Sequence, residues 1–313
     1  MECCLIGRFY VYLGESFKTI FFFYFSHVIS LNGNKLLPNT ILLSTLGVLG
    51  QFAGAHRLWA HGSYKATFGL KVFLMLCQTL VGHGSIYDWV HWHRLHHKHF
   101  GTDLDPYNHK NGFWYAHLFT LMRDLSPAQV AALEDIDMSD LENDRVVMFQ
   151  KNWYKVLYCL FTLLLPLNAP CEYWNESVVA SGLLVGFFRF GLTLHLTWLI
   201  HSAIIIWDLK PGEKYPADTN LVFLITKTYW ISYHYLAPWD FQTSEYGKYE
   251  TDYITKFIKI CTALNYASDL KTIDSQGVRM ALADSVRQGE DIKKCLENKA
   301  KQSNEFTSLN TCR

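Results

Sequence analysis

The chain has 313 residues, half of them apolar and 16% aromatic, and its 28 basic and 28 acidic side chains leave a formal net charge of zero. With no basic or acidic bias to draw a charged polymer, nucleic acid is excluded as a partner. What stands out instead is the gathering of the apolar residues into long runs separated by polar, histidine-rich stretches.

The N-terminus, MECCLIGRFYVYLG, lacks a basic region followed by a short apolar core and a small-residue cleavage site, so no cleaved signal peptide is expected. Four apolar runs follow, at about Phe17–Leu31, Asn39–Ala55, Lys155–Pro170 and Ser177–Trp207. A hydrocarbon layer about 30 Å thick takes on the order of 20 residues of helix, so these runs are the natural spans. The fold class expected is an all-α membrane protein with four transmembrane helices. The eight cysteines, Cys3, Cys4, Cys77, Cys159, Cys171, Cys261, Cys295 and Cys312, show no CxxC spacing and suggest neither a zinc site nor a disulfide framework.

Directly after the second run stands HRLWAH, His56 to His61, and farther on HRLHH, His93 to His97. His93, His96 and His97 stand at i, i+3 and i+4, so on a helix their imidazoles project from one face. Nitrogen donors suit iron, zinc or copper, whereas calcium and magnesium want oxygen. His56 and His61 are five residues apart and would point about 140° away from each other on an ideal α-helix. A kink or helix end has to bring them together. The HExxH pattern of zinc proteases is absent, because HRLWAH has no glutamate.

Between the two clusters, Leu70–Gly82 is apolar for about thirteen residues, a length that suits a buried or interfacial helix better than a span. A true span there would also put His61 and His93 on opposite sides of the membrane. Read as non-spanning, it leaves both termini and all the histidine clusters on one face, with the glycosylation pattern Asn175-Glu176-Ser177 on the other. The stretch from Pro127 to Asp144 turns acidic, with Glu134, Asp135, Asp137, Asp140 and Glu142, and reads as a solvated link to the third span. We divide the chain into a membrane domain, residues 1–272, whose cytosolic helical cap comprises 56–154 and 208–272 and carries the metal site, and a charged C-terminal tail, 273–313. That tail is expected to be cytosolic, partly helical and prone to fray.

The stretch GAHRLWAHGSYKA resembles the first histidine box of membrane fatty acyl-CoA desaturases of the stearoyl-CoA (delta-9) type. DWVHWHRLHHKHFGTDLDPYN, residues 88–108, is similar to the second box and its trailing TDxDPHN; MSDLENDRVVMFQKNWY, TWLIHSA and the stretch from Asn220 to Gly247 extend the likeness over most of residues 17–272. The resemblance implies four transmembrane helices under a cytosolic cap, two non-haem irons held by histidines, fatty acyl-CoA and O2 as substrates, and electrons from cytochrome b5 and its NADH reductase. It implies the endoplasmic reticulum membrane as the location, both termini cytosolic, and delta-9 desaturation of a saturated acyl chain in unsaturated fatty acid biosynthesis. Association with itself or with other desaturases is compatible with it.

Carried over residue by residue, the resemblance implies His56, His61, His93, His96, His97 and His234 as metal ligands, with His201 standing where the family has an asparagine. Trp198 and Thr197 would line the substrate tunnel, and Arg123 would meet the CoA. Three family ligand positions hold other residues here: Ile205, Ile231 and Tyr235. The site therefore implies one iron or a weakened pair, and a catalytically impaired scaffold that binds acyl-CoA or a partner stands as the alternative to an active desaturase.

Overall fold

A computed structural model describes residues 35–207, 231–242 and 252–310. Three of its helices are long and apolar enough to cross a membrane: Leu36–Ala60 (α1), Arg145–Trp174 (α7) and the helix whose membrane-length part is Val178–Ser202 (α8). They answer to the second, third and fourth expected spans. The first, Phe17–Leu31, lies outside the described residues. Helix α2, Phe68–Thr79, has only 12 residues, about 18 Å of helix, too short to cross about 30 Å of hydrocarbon. Its neighbour α3, Ile86–Lys98, starts at a Ser85 cap whose hydroxyl accepts from the Asp88 backbone N–H.

The cap continues through α4 (Phe113–His117), α5 (Pro127–Glu134) and α6 (Ser139–Glu142). After α8, which reaches Trp207, the described chain resumes with α9 (Ile231–Leu236), α10 (Tyr253–Ala263), α11 (Ser275–Gln288) and α12 (Ile292–Asn310). Two short strands, β1 (Lys65–Ala66) and β2 (Ala267–Ser268), pair antiparallel with Lys65 opposite Ser268. That ribbon ties the segment after α10 to the loop behind His61.

The main core is the seam of α1, α2, α3, α7 and α10, around Phe52, Leu74, Ile86, Val90, Val147, Ile254 and Ile258. Gly50 makes the seam possible, because a Cβ there would run into the Cys77–Gln78 backbone of α2. At the start of α3, the Gln150 side chain accepts from the Ile86 N–H at 2.8 Å and donates to Gln78 and Thr79. It thereby fixes α3 against α2 and α7.

Arg189 of α8 is fully buried in the spanning region, and its guanidinium donates to three backbone carbonyls: Val185 at 2.7 Å, Leu80 at 2.9 Å and Thr162 at 2.8 Å. Pro166 explains the last of these. It has no N–H to offer the carbonyl four residues back, and Leu80 caps the end of α2, so both oxygens lack a helical donor. An arginine in hydrocarbon is stable when it supplies such missing donors.

The tail is helical, in keeping with expectation. Helices α11 and α12 form a hairpin whose Ala281, Cys295, Leu296 and Ala300 pack with Ala237 and Ile273, against Leu236 and Trp239. Small apolar residues spaced on one face of two highly charged helices were enough to dock the tail behind α9.

Candidate metal centre

Helix α1 brings its two histidines together through its winding. From Gly50 to Ala60 the ladder is π-helical, and the His61 N–H bonds to the His56 carbonyl at 3.1 Å. An i→i+5 ladder stacks residues five apart, so His56 and His61 share one side, their ring centroids 4.8 Å apart. The kink anticipated from the spacing is a change of helical pitch. Helix α3 presents His93 and His97 one turn apart, and His93 is stacked under Trp89 at 4.7 Å and 14°.

The fifth ring arrives from far along the chain. Lys271 N donates to Ser63 O, and Phe241 N to Lys271 O, each at 2.9 Å. Arg57, between the two α1 histidines, donates to Phe241 O at 2.6 Å and to Thr255 Oγ1 at 3.0 Å, and pairs with Asp252 at 3.4 Å. These bonds hold residues 237–242 beneath α1 and set α9 so that His234 enters the cluster.

His56, His61, His93, His97 and His234 each offer a ring nitrogen, and these five atoms lie within 4.8 Å of one another. His234 Nε2 is 3.1 Å from both His56 Nε2 and His97 Nε2, and His61 Nε2 is 3.0 Å from His93 Nε2. Metal–nitrogen bonds of about 2.1 Å at right angles place neighbouring nitrogens about 3.0 Å apart. A single proton on His234 Nε2 could serve only one of its two neighbours; a cation at the focus serves all five lone pairs. The donor set is all imidazole, which suits iron, zinc or copper, so the residues fit a transition metal.

His56, His93 and His234 are buried, while His61 and His97 keep part of their surface with their rings turned inward. Burial first, then neighbouring imidazoles, hold His61, His93, His97 and His234 well below the ordinary 6.5. They stay neutral, the form that ligates. Because the unfolded chain takes up these protons near 6.5 and the folded chain only at lower pH, stability is level above 6.5 and falls as pH drops below it. The metal-free protein in detergent should therefore melt at a lower temperature at about pH 5.5 than at about pH 7.5; equal melting temperatures would contradict the burial of these rings.

His96 and His201 stand beside this group. His96 Nδ1 lies 2.7 Å from Asp105 and its Nε2 3.0 Å from the Tyr235 hydroxyl. His201 Nε2 is 3.3 Å from His93 Nδ1, and its ring stacks on Tyr107 at 3.6 Å. Tyr235 thus faces the histidines, while the side chains of Ile205 and Ile231 lie outside the described residues. Trp198 sits among His83, His117 and His195, with ring centroids 6.1, 5.8 and 5.1 Å away. Thr197 is buried beside it. Arg123 is exposed over the Tyr115 ring at 5.3 Å.

Three features had no reading in the sequence. Asp105 orients His96, and only its place in TDLDPYN hinted at a role. The Arg57–Asp252 pair spans 195 residues. His117, isolated in sequence, pairs with His195 at 3.0 Å and with Ser202 at 2.8 Å.

No family model matches the chain. Curated relatives do. An acyl-CoA Delta-9 desaturase of Acheta domesticus is 40% identical over 236 residues, 74% of this chain and 66% of that protein. An acyl-CoA Delta-12 desaturase of Tribolium castaneum is 32% identical over 302 residues, 93% of this chain and 80% of the relative. The stearoyl-CoA desaturase of Homo sapiens is 33% identical over 263 residues, 80% and 73%. This chain thus spans just under two thirds of the cricket enzyme and more of the others. At this identity and coverage the chain belongs to the membrane fatty acyl-CoA desaturase family.

Proposed function

We propose that the chain is an acyl-CoA desaturase that places a cis double bond, at the delta-9 position, in a saturated fatty acyl-CoA. The observation that carries the reading is the convergence of five buried or inward-facing imidazoles from α1, α3 and α9 on one point. Non-haem iron held there would supply the oxidising power. Two hydrogens leave adjacent methylenes, and O2 with two further electrons and protons becomes two waters. His56, His61, His93, His97 and His234 hold the ion, with Trp89 fixing the His93 ring. Trp198 and Thr197 line the acyl path, and exposed Arg123 meets the CoA phosphates.

The reading extends to four spans, with residues 17–31 as the first, and a cytosolic cap. It includes an endoplasmic reticulum location with both termini cytosolic, cytochrome b5 and its reductase as electron source, and pairing with itself or other desaturases. A delta-9 and a delta-12 enzyme of Acheta domesticus match at the same 40% identity, so support for delta-9 comes from the motif resemblance. The scaffold reading keeps one specific observation in its favour, the Tyr235 hydroxyl on His96 at 3.0 Å where the family has a further histidine.

Expression in a yeast strain auxotrophic for unsaturated fatty acids tests the proposal. Growth is expected, with monounsaturated acids whose double-bond position is read by mass spectrometry, and the same chain with His93→Ala should give none. Absence of unsaturated product from a stably expressed, metal-loaded protein would favour the scaffold.

A further inference from the structure

We propose that this chain holds one metal ion, and that the place of the family's second ion is closed by a Tyr235–His96–Asp105 hydrogen-bonded chain, with His201 serving as the orienting partner of His93. The inference deepens the metal-centre reading above and rests on it.

The protons can be assigned from the partners. The Asp105 carboxylate, an acceptor, already takes the Tyr107 N–H at 2.8 Å and the Gly101 N–H at 3.1 Å. His96 Nδ1, 2.7 Å away, must therefore carry its proton and donate. That leaves a lone pair on His96 Nε2, the atom a metal would take, and the Tyr235 hydroxyl donates into it at 3.0 Å. The phenol is held in place by stacking on Phe100, with centroids 3.9 Å apart, and on His97 at 5.2 Å.

The same reasoning applies to His201. His93 turns Nε2 to the five-nitrogen focus, 3.0 Å from His61 Nε2, so its proton sits on Nδ1. That proton is donated to His201 Nε2 at 3.3 Å. The His201 ring lies flat on Tyr107, 3.6 Å away with 2° between planes, and is not free to turn its nitrogen elsewhere. A hydrogen bond donated by the distal N–H of a metal-bound imidazole to a neighbour sets its tautomer and angle, and such a partner affects affinity without being a ligand. Among the described residues, both nitrogens beside the first focus are thus engaged, one by a phenol and one by a ligand of the first ion.

The test uses the full chain purified in detergent, stripped with a chelator and reloaded anaerobically with ferrous iron. Iron per chain is measured by elemental mass spectrometry after dialysis, and the nitric oxide adduct by electron paramagnetic resonance. One iron per chain is expected, with an adduct signal that accounts for all of it. Tyr235→His gives His96 and His201 a third imidazole and should raise the content toward two, with loss of the isolated-ion signal through coupling. Tyr235→Phe, which removes the proton donor and adds no ligand, should stay at one.

Two irons in the wild-type chain would overturn the inference, as would a folded Tyr235→His variant that remains at one; should that variant not fold, the wild-type content decides. Iron-free protein would remove the metal centre and the inference together. One iron without desaturated product would sink the desaturase reading and leave the inference standing, and two irons with product would do the reverse.

Discussion

Replacing Arg57 with alanine is expected to cost roughly 3–5 kcal/mol of stability, the range for removing one partner of a buried ion pair. Arg57 and Asp252 are both almost wholly inaccessible. The guanidinium also feeds Phe241 O at 2.6 Å and Thr255 Oγ1 at 3.0 Å. Without it, buried oxygens lose a charged donor and α10 loses what holds its capping Asp252 to α1. The effect should reach the metal as well, since residues 237–242 would no longer be held where α9 can present His234. Thermal unfolding in detergent together with metal content would read both effects. Arg57→Lys should be only partly rescuing, because an ammonium cannot reproduce the planar fork that reaches Phe241 O, Thr255 Oγ1 and Asp252 together. An Arg57→Ala protein with wild-type stability would show that the pair is ornamental.

His93→Ala should have the larger effect on chemistry and a smaller one on the fold. The His93 ring contributes Nε2 to the cluster, engages His201 through Nδ1 and stacks under Trp89. Even partners that only orient a ligand cost about 10–100-fold in metal affinity or activity when removed, so loss of a ligand should exceed about 100-fold and bring desaturation to background. Helix content should be unchanged, because α3 is held through Ser85, Gln150 and the Arg94 fork on Asp140. His96→Ala, at the neighbouring position, should fall within the milder range and retain bound metal. Metal retained on dialysis of the two variants separates them; equal losses would place His96 among the ligands.

Local pattern carried the parts of this site that lie within one helix. His93 and His97 are a turn apart, and their shared face could be read directly from HRLHH. His56 and His61 showed that something other than an α-helix was needed, though no residue in GQFAGAHRLWA announces a π ladder. His234 could be placed only through resemblance, because its position depends on a relay through Ser63, Lys271, Phe241 and Arg57, with no periodicity to reveal it. Three of the four span expectations fell on membrane-length helices, since hydrocarbon thickness leaves a simple mark on sequence. The docking of the helical tail was not legible for the opposite reason: charge dominates its composition, while the alanines and cysteine that dock it make a weak hydrophobic stripe.

The long separation within the metal centre also orders its making. Four of the five rings lie in residues 56–97, but His234 follows His97 by 137 residues, and at roughly 5–20 residues per second its synthesis trails by about 7 to 27 seconds. During that interval α7 and α8 are synthesised while only four of the five imidazoles, an open cup, are in place. Such a cup prefers copper and zinc to ferrous iron on intrinsic affinity, so the ion that is captured reflects what the compartment supplies. The Arg57 bonds that position His234 can complete the cup only after that interval.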